Sequence, residues 1–480
     1  MSIKSAPGVF DILPNDPKEP WRASHLWDWV ESILRQTSKA YGYQEIRTPI
    51  FERTDLFARS VGEQTDIVSK EMYTFEDRGG RSLSLRPEGT APTIRAYVEH
   101  NLQHGSSLQK LFYIGPMFRY ERMQAGRYRQ FHQYGAEAIG NLSPEQDAEM
   151  IDLSYTLYQK LGLKDLSIEV STLGTLESRQ KFRQALQNYL RPSLETLSEA
   201  SRTRFESNPL RILDSKDPND KKALLGAPSI LDFLDSESQD HFTSVLQLLD
   251  QLQIPYVINK DIVRGLDYYN KTVFEIISGE LGAQNSVGGG GRYDTLVSQL
   301  GGKDTPAIGF ATGIERILQV LLKQGARLPS PFAPTLYLIP LGEESKKACF
   351  SLLKSLRKND VWADMDLTGK KLGKAMQCAN DLGALYTAVV GERELETKMI
   401  VLKEMQTGET TQIPLGSLLR ILQIATRQQN YFDTFQQIST PFNDPSEADF
   451  FVKKIGGSIT QTTSLLQKLT QALEQIREII

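Results

Sequence analysis

The chain has 480 residues, 40% of them hydrophobic and 24% charged, with a formal net charge of −4. That length predicts two or three domains, and the composition is that of an ordinary soluble globular protein. The slight acidity argues against non-specific coating of nucleic acid, although local basic patches can still grip a folded RNA. No apolar run reaches the roughly 20 residues that cross a bilayer, and Cys349 and Cys378 are too far apart to signal a disulfide framework or a zinc cluster.

The N-terminal MSIKSAPGVFDILP has neither the basic start and apolar core of a secretory leader nor the look of a transit peptide, so a cytoplasmic location is expected. Pro7, Gly8 and Pro14 predict an irregular, docked arm. From Glu19 to Ala40, Leu26, Trp29, Val30, Ile33 and Leu34 recur at three and four, which predicts an amphipathic helix. Residues 43–49 turn extended and end at Pro49. Two strand-like runs, 72–75 and 82–86, flank a turn at 77–81. Pro87-Glu88-Gly89-Thr90-Ala91-Pro92 then leads into a helix from about Thr93. Plain capping by Thr90 explains a hydroxyl and a carboxylate there as well as any binding role does. His100 and His104 have metal-ligand spacing without the carboxylates or thiols that would accompany it, so they read as surface or helix-end residues.

Residues 119–137, RYERMQAGRYRQFHQYGAE, carry the most chemistry. With Leu111 to Ile114 before it, the stretch predicts two antiparallel strands joined by a basic loop holding Arg122, Gly126, Arg127 and Arg129. Arg119 lies where the first strand meets the loop. Its planar fork suits phosphate or carboxylate oxygens. Gln133 and Glu137, four apart on the second strand, point to one face. Such a hairpin offers a cation to an anionic reactant and an amide plus a carboxylate to a polar, cationic one. An amino acid beside a nucleotide phosphate fits; a solvated hairpin with surface ion pairs is the plain alternative. His132, between Gln130 and Gln133, reads as structural.

Residues 145–161 predict a helix and 166–170 a strand. From 175 to 255 polar helices dominate, which predicts an inserted helical module. Ile262-Val263-Arg264-Gly265-Leu266-Asp267-Tyr268-Tyr269 concentrates Arg, Asp and two Tyr in one turn before a strand at 272–276. Residues 287–294, VGGGGRYD, read as a glycine-rich turn that lets backbones pass close together; they match neither the P-loop nor the dinucleotide pattern. Residues 307–317 predict a strand entering a helix at Gly313, with Arg316 at the helix start, where the dipole disfavours a cation unless an anion is near. Residues 324–334 form a proline-rich linker. Strands and helices then alternate over 335–422, predicting a small open α/β domain, with Lys370, Lys371 and Lys374 on its second helix. Residues 423–480 end in a periodic helix, 465–480, with no evident chemistry.

The hairpin resembles motif 2 of the class II aminoacyl-tRNA synthetases, in wording close to that of the histidyl-tRNA synthetases. The 262–269 stretch is similar to their signature peptide, 307–317 to motif 3, and the helix-strand-Pro order at 19–49 to motif 1, which in the family builds the dimer interface. The resemblance covers residues 1 to about 422. It implies an α/β (α+β) fold: an antiparallel-sheet catalytic domain (1–174 and 256–323), a helical insertion (175–255) near the tRNA acceptor arm, a linker (324–334) and a C-terminal open α/β anticodon-binding domain (335–422). The extension at 423–480 departs from the family.

The implied activity is ATP-dependent ligation of L-histidine to tRNA(His) through histidyl-adenylate. The implied catalytic residues are Arg119, Arg264 and Arg316. Glu88, Thr90, Gln133, Glu137, Tyr268, Tyr269 and Tyr293 would bind histidine, and Arg119, Glu121, Arg127, Arg264, Glu315 and Arg316 would bind ATP. Mg²⁺ would arrive with ATP, with no zinc and no organic cofactor, in a homodimer away from membranes. The alternative is an inactive synthetase-like regulatory subunit of ATP phosphoribosyltransferase. Those paralogues lack parts of both peptides and the C-terminal domain, all of which this chain keeps.

Overall fold

The helical period at the N-terminus becomes α1 (Ser24–Ala40), which buries Leu26, Trp27, Val30 and Leu34. It starts later than expected because Pro20–Arg22 forms a 3₁₀ turn and Ala23 is extended. The computed structural model describes residues 3–62, 65–121, 126–262, 266, 268–281 and 286–423. The helix expected at 465–480 lies outside them. Contacts divide the chain into two units, Met1–Pro331 and Phe332–Ile480.

In the first unit α1 leads to β1 (Gln44–Glu45), β2 (Phe51–Arg53), α2 (Thr54–Val61), β3 (Thr74–Glu76) and β4 (Ser82–Leu85). After these come α3 (Thr90–Glu99), β5 (Gln109–Phe118), β6 (Gln130–Ile139), α4 (Pro144–Leu161) and β7 (Leu166–Thr172). The inserted region supplies α5 (Leu176–Leu190), α6 (Glu199–Ser207), α7 (Pro218–Ala223) and α8 (Ser236–Gln251). The chain then forms β8 (Tyr256–Ile258), β9 (Asn270–Ser278), β10 (Ser286–Arg292), α9 (Leu296–Gln299), β11 (Ala307–Gly313) and α10 (Ile314–Lys323).

Among the described residues, eight of these strands make one sheet in the order β1-β5-β6-β11-β10-β9-β7-β8, and β2-β4-β3 make a small second sheet. Most of the large sheet is antiparallel; β1 with β5 and β7 with β8 run parallel. The period of two along each strand sorts its faces. Tyr134, Ala136 and Ala138 of β6, Ile308 and Phe310 of β11, and Phe274 and Ile276 of β9 join the core beneath α1, α4 and α10. Their neighbours, Gln133 and Glu137 of β6 among them, face the other way. Within the insertion, Phe182, Leu186, Phe205, Ile212 and Ile230 form a separate core, whereas Phe242, Val245 and Leu249 of α8 belong to the core of the large sheet.

The glycine run differs from its expected form. Instead of a turn it is β10, a central strand between β9 and β11. Glycine is disfavoured in strands, so the sequence conceals it, and close approach explains its presence. A Cβ on Gly290 would lie 2.1 Å from the carbonyl oxygen of Gly309, and one on Gly288 2.3 Å from the Tyr158 hydroxyl. Gly290→Ala is therefore expected to cost about 1–3 kcal/mol of stability through overpacking against backbone. A urea midpoint that falls without a change in slope would register it; an unchanged midpoint would show that the strands can part.

The second unit has β12 (Leu336–Pro340), α11 (Glu343–Lys358), β13 (Ala363–Met365), α12 (Leu372–Asp381), β14 (Tyr386–Val390), α13 (Glu392–Thr397), β15 (Met399–Glu404) and β16 (Thr410–Pro414). Its sheet order is β13-β12-β14-β15-β16, with the first three strands parallel and both the β14–β15 and β15–β16 pairings antiparallel, the open α/β form that the alternation predicts. Lys374 lies in α12, whereas Lys370 and Lys371 precede it; the Lys370 amide donates to Asp366 Oδ2 at 2.6 Å. No helix of the described residues is long and apolar enough to cross a membrane.

Candidate active site

The open face of the large sheet carries a cleft of about 340 Å³. Glu88, Thr90, Arg119, Glu121, Arg127, Gln133, Tyr268, Tyr269, Tyr293, Glu315 and Arg316 all line it. Glu137 meets the same group from β6 through Thr90 and Tyr293. Arg264 lies outside the described residues. Four stretches far apart in sequence therefore converge: the turn before α3, the β5–β6 hairpin, the segment from Tyr268 to Tyr293, and the junction of β11 with α10.

One half of the cleft is built to accept hydrogen bonds. Gly89, not Thr90, is the N-cap of α3, and the capping is done by Glu88. Its carboxylate takes the amides of Thr90 (2.6 Å) and Ala91 (2.8 Å), satisfying two of the helix's free N–H groups. That leaves the Thr90 hydroxyl free to donate to Glu137 Oε1 at 2.8 Å. The Tyr293 hydroxyl donates to Glu137 Oε2, and Tyr113 lies 3.4 Å from Oε1. Burial pushes the Glu137 carboxyl up to about 8, against the pull of the Tyr293 and Thr90 hydroxyls. Burial also raises Glu88. The amide oxygen of Gln133 is buried and has no hydrogen-bond partner among the described residues. An unpaired buried acceptor costs about 1–3 kcal/mol, which a donor on a bound molecule would recover. Tyr268, Tyr269 and Tyr293 cluster beside these acceptors, Tyr268 tilted against Tyr269 and edge-to-face with Tyr293 at centroid distances of 4.7 and 5.5 Å, as an aromatic wall for a bound ring.

The other half is cationic. Arg119 follows β5, its Nε donating to the Pro87 carbonyl at 2.8 Å and its guanidinium lying over the Phe131 ring. Glu121 lies 3.7 Å from Arg119 Nη1 and 3.1 Å from Arg127 Nη1. Arg316, in the first turn of α10, donates to the carbonyls of Ser286 and Gly126. Burial, then the like charge of Arg127, pulls its pKa down; Glu121 opposes this and Arg119 adds to it. An anion between the three guanidiniums would reverse that repulsion. Glu315 is held by Oε1, which accepts from the His132 amide at 2.8 Å and stands 3.0 Å from His132 Nδ1. Glu315 Oε2 is buried without a hydrogen-bond partner among the described residues. His132 thus has the structural part read for it, and its ring also packs on Trp27.

Sequence reasoning missed Tyr113. It pairs across the hairpin with Gly135, and a Cβ on either Gly89 or Gly135 would lie 2.2 Å from its ring. A tyrosine opposite a glycine that sits between Gln133 and Glu137 is the signal that could have found it. Gly309 is similar: its Cβ would fall 1.7 Å from Glu137 Oε2. Ile67, which also lines the cleft, has no such signal.

A largely antiparallel sheet with helices on one face, and on the other a cleft that sets arginines against buried acceptors, defines a class II aminoacyl-tRNA synthetase. The family profile described as histidyl-tRNA synthetase matches residues 11–317, and that of an anticodon binding domain matches 335–424. The chain belongs to the histidyl-tRNA synthetase family. It is 60% identical over 418 residues to the histidine–tRNA ligase of Protochlamydia amoebophila, covering 87% of this chain and 99% of that one. It is 47% identical over 426 residues to that of Geobacillus kaustophilus, covering 88% and 98%. Among solved structures, apo histidyl-tRNA synthetase of S. aureus superposes with a TM-score of 0.74 at 38% identity, covering 88% of this chain and 100% of the other.

Proposed function

We propose that the cleft activates L-histidine with ATP, its acceptor half holding the amino acid and its cationic half the triphosphate. The reaction is ligation of L-histidine to tRNA(His) through histidyl-adenylate. A carboxylate oxygen of histidine attacks the α-phosphorus in line, pyrophosphate leaves, and a terminal tRNA hydroxyl then takes the acyl group and releases AMP. The attacking carboxylate is already ionised at neutral pH, so no general base is needed for the first step. Charge that builds on the phosphoryl oxygens is met by fixed donors.

Arg119 takes the α-phosphate and the histidine carboxylate, joined there by Arg264 as the signature peptide implies. Arg316 takes the γ-phosphate. Arg127 and Glu121 complete the ATP side, and Glu315 Oε2 is a hard oxygen suited to the Mg²⁺ that accompanies ATP. Glu88, Thr90 and Gln133 receive the α-amino group. Glu137 and the three tyrosines enclose the imidazole. The observation that carries this reading is the meeting, in one cleft, of three guanidiniums with a buried, unpaired Gln133 oxygen and a buried Glu137.

The 335–422 domain would meet the anticodon, with Lys370, Lys371 and Lys374 at hand for phosphates, and the 175–255 insertion would lie near the acceptor arm. We assign the homodimer contact to the 19–49 segment that resembles motif 1, together with the β2-β4-β3 sheet that follows it in the chain, where Phe51 and Phe75 are 52% and 43% exposed with ring centroids 6.3 Å apart. A cytoplasmic location follows from the same reading. The regulatory-subunit alternative is less supported, because such a subunit has no use for this complete set of acceptors and arginines.

Purified protein is expected to support ATP–pyrophosphate exchange with histidine and with none of the other nineteen amino acids, and to charge bulk tRNA with histidine. Absence of histidine-dependent exchange, together with stimulation of ATP phosphoribosyltransferase, would favour the regulatory reading.

A further inference from the structure

The helical insertion has its own core, yet three of its cations reach back to segments that border the cleft. Arg211, in the turn Pro209–Ile212, places Nη1 2.9 Å from Asp66 Oδ2, and Arg204 of α6 lies 3.8 Å from the same oxygen. Arg179 of α5 donates through Nη2 to the backbone carbonyl of Tyr269. Arg179, Arg211 and Tyr269 share the lining of a cavity of about 60 Å³ where the insertion and the cleft wall meet.

Asp66 heads a π-helical turn, Ile67–Glu71. Such turns are rare and frequently found at functional sites. This one touches the site at both ends. Ile67 lines the cleft and packs with Leu56, Phe57, Val61 and Ala91, and the Ala91 amide donates to Glu88. The Glu71 carbonyl accepts from the Tyr120 amide at 2.7 Å, between Arg119 and Glu121. Burial works against the Asp66 charge, but Arg211, Lys70 and Arg204 together hold its carboxyl below the usual range. An isolated surface pair contributes little. Here the carboxylate is shared by two arginines from another element, and it anchors a turn two bonded steps from Arg119.

We propose that Arg211, supported by Arg204, is a positioning residue for amino-acid activation: through Asp66 the insertion holds the Ile67–Glu71 turn, and so Arg119 and Glu121, in working geometry before any tRNA binds. This rests on the catalytic reading of the cleft and gives the insertion a part in the adenylate step as well as near tRNA.

The test uses full-length protein without tRNA. R211M and D66N should each lower kcat of histidine-dependent pyrophosphate exchange about tenfold, the size of one coupled contact, while the histidine KM moves less than about twofold. The double variant D66N/R211M should be no slower than the slower single, and R211K should keep more than half the parent rate. In R211M the amides of Ser69 and Tyr120, bonded to the carbonyls of Thr65 and Glu71, should exchange hydrogen about tenfold faster. Parent-like hydrogen exchange in R211M would overturn the proposal. So would a double variant whose loss is the product of the two singles. A parent protein lacking histidine-dependent exchange would strike the catalytic reading instead, with the hydrogen exchange still deciding whether Arg211 holds the turn.

Discussion

Arg119→Ala is expected to lower kcat for histidine-dependent pyrophosphate exchange by about 10²–10³, the scale for one preorganised donor. The side chain is fixed before substrate arrives: Nε is bonded to the Pro87 carbonyl, Phe131 lies under the guanidinium, and Glu121 stands 3.7 Å from Nη1. A donor held in this way loses little freedom when charge develops on the phosphate. Water filling the space left by the variant would have to reorient at that moment. Lysine should restore little, since a point charge on a flexible stem cannot keep the Pro87 contact and offer a planar fork together. The fold should survive, because Arg119 sits at a strand end near solvent and outside the hydrophobic cores. Exchange within threefold of the parent in R119A would remove Arg119 from the chemistry.

Glu137→Gln is expected to raise the histidine KM by about 10² or more, on the scale seen when a site built around a hydrogen bond loses it. Thr90 and Tyr293 each donate to one carboxylate oxygen. An amide, with one acceptor and one donor, reproduces the neutral carboxyl of the empty site but cannot become the carboxylate that accepts from Thr90, Tyr293 and an imidazole N–H together once histidine is bound.

The wild-type site should also show proton linkage. Burial raises Glu137 from its ordinary value of 4.5 to about 8, so below that pH the empty site holds a neutral carboxyl. Its contribution to stability is fully present below 4.5 and is lost as pH rises through about 8. An imidazole N–H favours the carboxylate, so binding histidine releases a proton below pH 8. Affinity for histidine should therefore climb between pH 6.5 and 8, by up to about tenfold per unit, and level off above. The rise in Tm that histidine produces should grow over the same window and flatten in E137Q. A histidine-induced Tm shift independent of pH in the wild type would show that Glu137 is ionised before histidine binds.

Much of this site is legible along the chain because its chemistry comes in short runs. Arginine at the end of a strand needs an anion, and residues four apart on one strand share a face whatever the rest of the fold does. That is why Arg119, Gln133 and Glu137 can be chosen from the hairpin alone, and why the wording of 262–269 and 307–317 points to the same family. Local rules have less hold where the backbone itself is the reason for a residue. Residues 287–294 have the composition of a turn, yet 287–292 lie in a central strand, because only glycine lets β10 lie against β11 under the Tyr158 hydroxyl. Thr90 has the look of a cap, but Gly89 holds that position and the Glu88 carboxylate does the capping.

The amino-acid order by itself determined the secondary structure of the strongly periodic segments, the two-face pattern of the hairpin and the family, because these depend on near neighbours. Only the tertiary structure decided which side chains share one cleft, that Tyr113 and Gly309 pack against Glu137, and that Arg211 is joined to Asp66. Tyr113 and Glu137 are 24 positions apart, Asp66 and Arg211 145, and Glu137 and Gly309 172, and the energies of such contacts depend on burial and on distance across the sheet, quantities that no local stretch of sequence contains.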